Sequence, residues 1–323
     1  MTSLIKFDAP LPGGNTPLVL GLGVFDGVHL GHRRIISEVL AMAKRHDAVP
    51  AAVTFHPHPR QVLCPDDPPR LLLPMTERRR LLREAGAQIV GVIEFDKKFA
   101  VTEPLDFLEA LLHEREFRLA GICVGSRWRF GHFGAGDKEV IKRFSAANGV
   151  DFTPCEEVVI GGETVSSSAI RRAVAAGRIE HAGALLGRPP RLFGTVARGN
   201  GIAGSVLHAP TANLEISCGV LPPDGVYAGS IRIGSRNFPA AVNIGFSPTF
   251  GGADRRIEAH LLSFDGSLYG MELELELLSF IRHEQKFSSP EALRTRIRED
   301  ELLTRQAFER ARKGEAGPCT AAE

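Results

Sequence analysis

From Leu18 to about Gly187 the chain alternates between short apolar runs of strand length and longer segments with helical apolar spacing. The strand-like runs are Leu18 to Val24, Pro50 to Phe55, Gln88 to Phe95 and Leu119 to Val124, and helices are expected from Gly31, Thr76 and Pro104. Such alternation predicts a parallel sheet covered by helices, because a parallel neighbour can be reached only through a crossover connection. Ligands in sheets of this kind bind beyond the carboxyl ends of the strands. Thr76 and Thr102 precede helical patterns and are expected as helix caps.

The first strand-to-helix junction carries the most chemistry. Residues 23 to 34 read G-V-F-D-G-V-H-L-G-H-R-R and run directly into Ile35, Ile36, Val39, Leu40 and Ala43. Gly31 lets a ligand approach the backbone, and the amides of a helix start supply partial positive charge suited to phosphate. A lone histidine there would be an ordinary cap or surface group. His29 and His32 around Gly31, with Gly23, Asp26 and Gly27, form the H-x-G-H element that resembles the nucleotidyltransferase superfamily. That likeness implies imidazoles that stabilise charge on the α-phosphate of ATP as pyrophosphate leaves. No H-E-x-x-H pattern or cysteine cluster accompanies the pair, so zinc is not indicated.

Three further segments of this half point toward phosphate or a planar ring. His56-Pro57-His58-Pro59-Arg60 is either a rigid turn or a loop meeting phosphate or a second substrate. Gly125-Ser126-Arg127-Trp128-Arg129-Phe130-Gly131 holds the only tryptophan in the chain. Arginine beside aromatics suits a phosphorylated heteroaromatic ligand, and equally an aromatic packed on the domain edge. Ser166-Ser167-Ser168-Ala169-Ile170-Arg171 opens a helix with a serine cap and places Arg171 where it can reach the same anion.

At Gly187-Arg188-Pro189-Pro190 the texture changes to short β segments: Arg191 to Ala197, Gly225 to Ile233, Phe238 to Ile244, Ile257 to Phe264 and Met271 to Ile281. A small antiparallel sheet or barrel follows, closed by a helix over Ser289 to Arg312 that docks through Leu293, Ile297 and Leu303. Two domains are expected, residues 1–186 and 187–313, with a disordered tail at 314–323. Thr211 and Asn213 offer hard oxygens two residues apart, the donor type Mg²⁺ prefers. Glu258 interrupts an apolar strand pattern and is the candidate general base.

Composition narrows the partners. Among 323 residues, 39 are Lys or Arg and 38 are Asp or Glu, so the net charge of +1 provides no field for nucleic acid or an anionic membrane. Five scattered cysteines without C-x-x-C spacing indicate a reducing cytoplasm. No apolar run reaches membrane-spanning length and the first residues are unlike a signal peptide, so a soluble monomer or weak homo-oligomer is expected.

Taken in order, the motifs resemble the prokaryotic bifunctional riboflavin kinase/FMN adenylyltransferases, also called FAD synthetases. The likeness runs from Leu18 to about Asp300 through G-x-F-D-G-V-H-x-G-H, V-T-F-H-P-H-P, S-S-x-x-I-R, P-T-A-N, D-G-V-Y, N-I-G-x-x-P-T, L-Y-G, then Arg282 and Lys286-Phe287. It implies a Rossmann-like nucleotidyltransferase domain that joins AMP to FMN, followed by a split β-barrel kinase that makes FMN from riboflavin and ATP. By the same likeness, Gly23, Phe25, Asp26, His29, His32, Ser167 and Arg171 bind ATP. His58, Arg127, Trp128 and Phe130 take the flavin, Thr211 and Asn213 hold Mg²⁺ and ATP phosphates, and Glu258 accepts the ribityl proton. The chain departs from the family at His208-Ala209, at Ser126 to Trp128 and at Ser168, changes that bear on flavin affinity rather than reaction type. Other readings are a single retained activity, or a flavin-binding regulator or carrier; retention of both phosphate-handling sets argues against the latter.

Overall fold

The computed structural model describes residues 3–13, 15–197, 211–246 and 255–314. The chain divides into two compact units, residues 1–69 with 75–166 and residues 70–74 with 167–323. The segments 199–204 and 247–250, His208, Ala209 and Pro210, and the tail 315–323 lie outside the described residues.

The first unit contains β1 (Lys6–Phe7), β2 (Thr16–Leu22), α1 (Leu30–Arg45), β3 (Val49–His56), α2 (Pro59–Leu63), α3 (Met75–Glu84), β4 (Ile89–Glu94), α4 (Pro104–Leu112), β5 (Phe117–Gly125), α5 (Lys138–Asn148) and β6 (Asp151–Cys155). A hairpin, β7 (Val159–Ile160) and β8 (Glu163–Thr164), ends it. The sheet order is β1-β4-β3-β2-β5-β6, with every neighbour parallel except the antiparallel edge strand β1. Chain order runs outward in both directions from β2, so β2 and β5 form the switch point where a crevice opens at the carboxyl edge. Strands β2 and β3 are buried almost throughout, as expected for strands covered on both faces. Helix α1 buries Ile35, Ile36, Val39, Met42 and Ala43 against the sheet. It can approach closely because Gly21 and Gly121 face it: a methyl group on Gly21 would stand 2.9 Å from Val39, and one on Gly121 would overlap the Met42 sulfur.

The second unit begins with α6 (Ser167–Ala175) and α7 (Ile179–Leu186). A closed antiparallel barrel follows, built from β9 (Arg191–Ala197), β10 (Thr211–Cys218), β11 (Gly225–Ile233), β12 (Arg236–Phe246), β13 (Arg255–Leu261) and β14 (Glu272–Arg282) in the order β10-β13-β12-β11-β14-β9. Closure leaves no strand edge unpaired. Period-two alternation sends Ala212, Leu214, Val242, Ile244, Ile257, Ala259 and Leu261 into the barrel core. The P-T-A-N segment, read from sequence only as a source of ligands, supplies a strand of its own, β10.

The closing helix α8 (Pro290–Lys313) packs on β11, β12 and β14; of the three residues expected to dock it, Leu293 and Ile297 are half-buried and Leu303 is not. Leu303 is 40% exposed, and the buried face is Asp300, Thr304 and Ala307. The docking contact is ionic: Arg282 of β14 grips both Asp300 carboxylate oxygens at 2.7 to 3.1 Å, and Arg296 reaches the same group at 3.4 Å. Two expected caps are also corrected. Helix α3 starts at Met75, so Thr76 lies inside it. The N-cap of α4 is Glu103 rather than Thr102, without a side-chain bond, and Pro104 takes the first helical position, where its missing N–H costs nothing.

Candidate active sites

Three sequence motifs of the first unit fall at the carboxyl ends of adjacent strands. The H-x-G-H loop leaves β2, the H-P-H-P segment leaves β3, and the Arg127-Trp128 loop leaves β5. Their common position follows from parallel pairing, which sends every β-to-α loop to one edge of the sheet.

Between β2 and α1 the backbone takes an unusual course. Phe25 and Val28 have φ of 52° and 39°, values that side-chain-bearing residues rarely adopt, and Gly27 lies between them at 89°. Tertiary contacts hold this path: the Val24 carbonyl accepts hydrogen bonds from the Thr54 hydroxyl at 2.7 Å and from Arg78 at 3.1 Å. Phe25 and Asp26 are buried, and the Asp26 carboxylate lies 3.6 Å from the Arg78 guanidinium. The loop delivers His29 as the N-cap of α1, its Nδ1 accepting the His32 N–H at 3.3 Å. The two imidazoles stack at 3.5 Å with 18° between planes. A methyl group on Gly31 would press 3.2 Å against the His29 ring and stand 3.6 Å from the Val165 carbonyl. A side chain at position 31 would therefore crowd the His29 ring.

On the β3 side, His58 caps α2: its Nδ1 accepts the Arg60 N–H at 3.1 Å, and the Gln61 side chain accepts the His58 N–H at 3.0 Å. The rigid-turn reading of this segment thus has a structural basis. On the β5 side, Trp128 stacks on Phe130 at 4.8 Å and 10°. Phe130, Phe107, Phe99 and Phe55 continue as a chain of ring contacts at 5.8 to 6.2 Å, so the loop after β5 is joined by aromatics to the end of β3. Arg127 pairs with Glu157 beyond β6, and Arg129 with Asp137 at 3.3 Å. Trp128 is packed on the core of its own unit and is half-buried, which fits the reading of an aromatic packed on the domain edge. Burial pushes the Cys155 thiol up to about 12 and the Cys123 thiol higher still, which disfavours the thiolate of both.

Ser167 and Arg171 stand on α6, in the second unit. Arg171 Nε donates to the Arg70 carbonyl at 2.7 Å.

In the barrel, register assembles what sequence had only listed. Asn213 of β10 pairs with Glu258 of β13, and Glu258 pairs on its other side with Asn243 of β12. Directly opposed residues share a face, so the three side chains form one polar row with Cβ atoms about 5 Å apart. Their strand neighbours fill the core, which places this row on the outer face of the barrel and explains a carboxylate within an apolar pattern. Two pairs along, Thr211 opposes His260, whose Nε2 lies 3.3 Å from Glu301 of α8. Asn243 was missed as a separate candidate although it opens the N-I-G motif. Near the start of β13, Arg255 binds the Asp224 carboxylate and, at 2.6 Å, the Pro222 carbonyl, and Tyr227 donates to the Pro223 carbonyl at 2.7 Å. These contacts pin the turn that begins D-G-V-Y; burial pushes the Tyr227 phenol up to about 12, so it remains a donor.

Among the described residues, no helix is long and apolar enough to cross a membrane, and no group of three or more His, Cys, Asp or Glu is placed to hold a metal ion.

Comparison with known proteins covers both units. The FAD synthetase family model matches residues 12–169, and the riboflavin kinase family model matches residues 186–308. The chain is 33% identical over 291 residues to the Escherichia coli (strain K12) protein named bifunctional riboflavin kinase/FMN adenylyltransferase, covering 90% of this chain and 92% of that one. A Bacillus subtilis (strain 168) protein of the same name is 30% identical over 302 residues, covering 91% and 94%. A crystal structure titled as a macrolide-efflux protein from Streptococcus pneumoniae superposes with a TM-score of 0.82 at 28% identity, covering 92% of this chain and 96% of the other.

Proposed function

The chain belongs to the bifunctional riboflavin kinase/FMN adenylyltransferase family, and on that premise we propose that its two units divide two consecutive reactions between them. Riboflavin is phosphorylated by ATP to FMN, with ADP as the second product. FMN then attacks the α-phosphorus of a second ATP, giving FAD and pyrophosphate. The functional boundary lies at the Gly187 turn, with adenylyl transfer in residues 1–186 and phosphorylation in residues 187–313. Helices α6 and α7 accordingly serve adenylyl transfer although compactness groups them with the barrel.

For the kinase, the observation that carries the reading is the in-register row Asn213, Glu258 and Asn243. Glu258 accepts the proton of the ribityl 5′-hydroxyl as that oxygen attacks the γ-phosphorus. Thr211 and Asn213, two residues apart on β10, would hold Mg²⁺; the fit rests on the donor set, since a hydroxyl and an amide oxygen are hard donors of the type this ion takes. Bound there, Mg²⁺ supplies charge neutralisation at the ATP phosphates.

For the adenylyltransferase, the supporting observation is the convergence of three motif loops at the carboxyl edge around β2. His29 and His32 stabilise charge that develops on the α-phosphate and on departing pyrophosphate. Gly23, Phe25 and Asp26 shape the ATP site from within the loop. Trp128 and Phe130 form the platform for the isoalloxazine, with Arg127 and His58 at its polar margin. The partners are ATP, riboflavin and FMN, and the enzyme works as a cytoplasmic monomer or weak homo-oligomer. Four free cysteines among the described residues suit a reducing compartment.

The test is a product assay with each flavin supplied separately, plus ATP and Mg²⁺. Riboflavin yields FMN and then FAD, and FMN alone yields FAD. A chain that forms neither product refutes the assignment, and one that forms a single product confines activity to one unit.

A further inference from the structure

Arg78 has no place in any motif of this chain, yet it heads the set of largest fully buried side chains. It belongs to the run Arg78-Arg79-Arg80 on α3, and it alone of the three is buried, because it shares the inward face with Leu81 and Leu82 at helical spacing. An arginine buried to this degree costs desolvation unless charge and hydrogen bonds compensate. Its compensation comes from the H-x-G-H loop: the Asp26 carboxylate at 3.6 Å, itself 1% exposed, and the Val24 carbonyl at 3.1 Å.

Those two partners bracket Phe25, the first of the left-handed residues in the loop, and Gly27 and Val28 follow in the same region. Non-glycine residues in that region cost free energy, and such a path persists only where its surroundings over-determine it. Arg78 and Thr54 meet this requirement by converging on one carbonyl at the exit of β2. Immediately downstream the backbone places His29 as the cap of α1 and stacks it on His32.

We propose that Arg78 is a positioning residue of adenylyl transfer: through Val24 and Asp26 it fixes the loop that aims His29 and His32 at the triphosphate. It touches no substrate in this role. The proposal rests on the reading of His29 and His32 given above. It predicts a defect in turnover rather than in flavin capture, because the Trp128 platform lies on another loop.

The test uses the full-length enzyme, whose riboflavin kinase activity serves as an internal control for each preparation. FMN-to-FAD conversion is first measured for the unaltered chain; absence of FAD at that stage refutes the site reading itself and is distinguishable from failure of the present proposal. Arg78→Met and Arg78→Lys are then compared for kcat, for KM of FMN and ATP, for riboflavin phosphorylation and for thermal unfolding. Expected for Arg78→Met is a fall in adenylylation kcat of about 100-fold, the scale of a misplaced catalytic group, with the KM for FMN and the kinase rate retained. Arg78→Lys keeps the charge and one donor, and recovers at least about tenfold of that loss. Where Arg78→Met does not fold, Arg78→Lys decides, with a reduced kcat and an unchanged KM for FMN expected. Adenylylation unchanged in Arg78→Met, or a KM increase with kcat intact in whichever variant folds, overturns the proposal.

Discussion

His29 has two roles that the same substitution would erase, and separating them is the sharpest test of the adenylyltransferase site. It caps α1 through Nδ1, and it supplies an imidazole where phosphate chemistry is proposed. His29 is 5% exposed and its ring stacks on His32, so His29→Ala removes both a cap and buried packing. The cap bond is long at 3.3 Å, and its loss costs about 1 kcal/mol. With the lost ring contacts the total is roughly 2 kcal/mol. For a unit of this size that lowers the unfolding temperature by about 4 to 8 °C. His29→Asn restores the cap, since asparagine is among the best N-cap residues, and keeps the loss to about 1 kcal/mol or less. Neither variant retains an imidazole, so both lose about 10² to 10³ in kcat for FMN adenylylation, the cost of deleting one preorganised charge-stabilising donor. Riboflavin phosphorylation is unaffected in both. Differential scanning calorimetry with separate FMN and riboflavin assays checks each part. If His29→Asn recovers adenylylation together with stability, His29 is a cap and nothing more.

Glu258→Gln, which preserves shape but cannot take a proton, lowers riboflavin phosphorylation by at least about 10²-fold and leaves FMN adenylylation intact; parallel loss of both activities would contradict separate sites. Asp300→Ala strands Arg282, whose side chain is only 14% exposed, and is expected to destabilise the barrel by about 3 to 5 kcal/mol. The double variant Asp300→Ala with Arg282→Met recovers a large part of that loss, and thermal unfolding of the set measures it. Burial alone would raise the Asp151 carboxyl, but hydrogen bonds from His46 and Arg45 outweigh it and hold the group below its ordinary value of 3.8. A depressed folded value means that this contribution is fully present above the unfolded value and is lost as pH falls through the folded one. Asp151→Asn therefore destabilises at neutral pH, and its difference from the unaltered chain shrinks below about pH 4, as denaturation across pH will show.

Local patterning carried the fold class a long way. Alternating strand and helix periods specify a parallel sheet, and the glycine- and proline-rich turn at 187–190 marks where that pattern gives way to barrel strands. Errors fell where several residues satisfy one local rule and packing selects among them. Thr76 and Thr102 satisfy the capping preference, but helix starts are also set by Pro104 and by the burial of neighbouring residues. Leu303 is apolar and yet 40% exposed on α8, whereas Asp300 of the same helix is buried, because its partner on β14 is an arginine.

Site residues divide in the same way. The candidacy of His29, His32, Asn213 and Glu258 came from residue type and the motifs around them, because reaction with phosphate calls for such groups. That Asn213, Glu258 and Asn243 share one face was not, since strand register depends on pairing between segments tens of residues apart. Arg78 was hidden among three consecutive arginines, and only the spacing to Leu81 and Leu82 hinted that one of them turns inward. The amino-acid sequence by itself determined which groups are available and the periodicity that builds each element. Tertiary structure decided which arginine is buried, which glycine admits a helix and which carboxylate meets which amide, because burial and register are properties of segments brought together rather than of any segment alone.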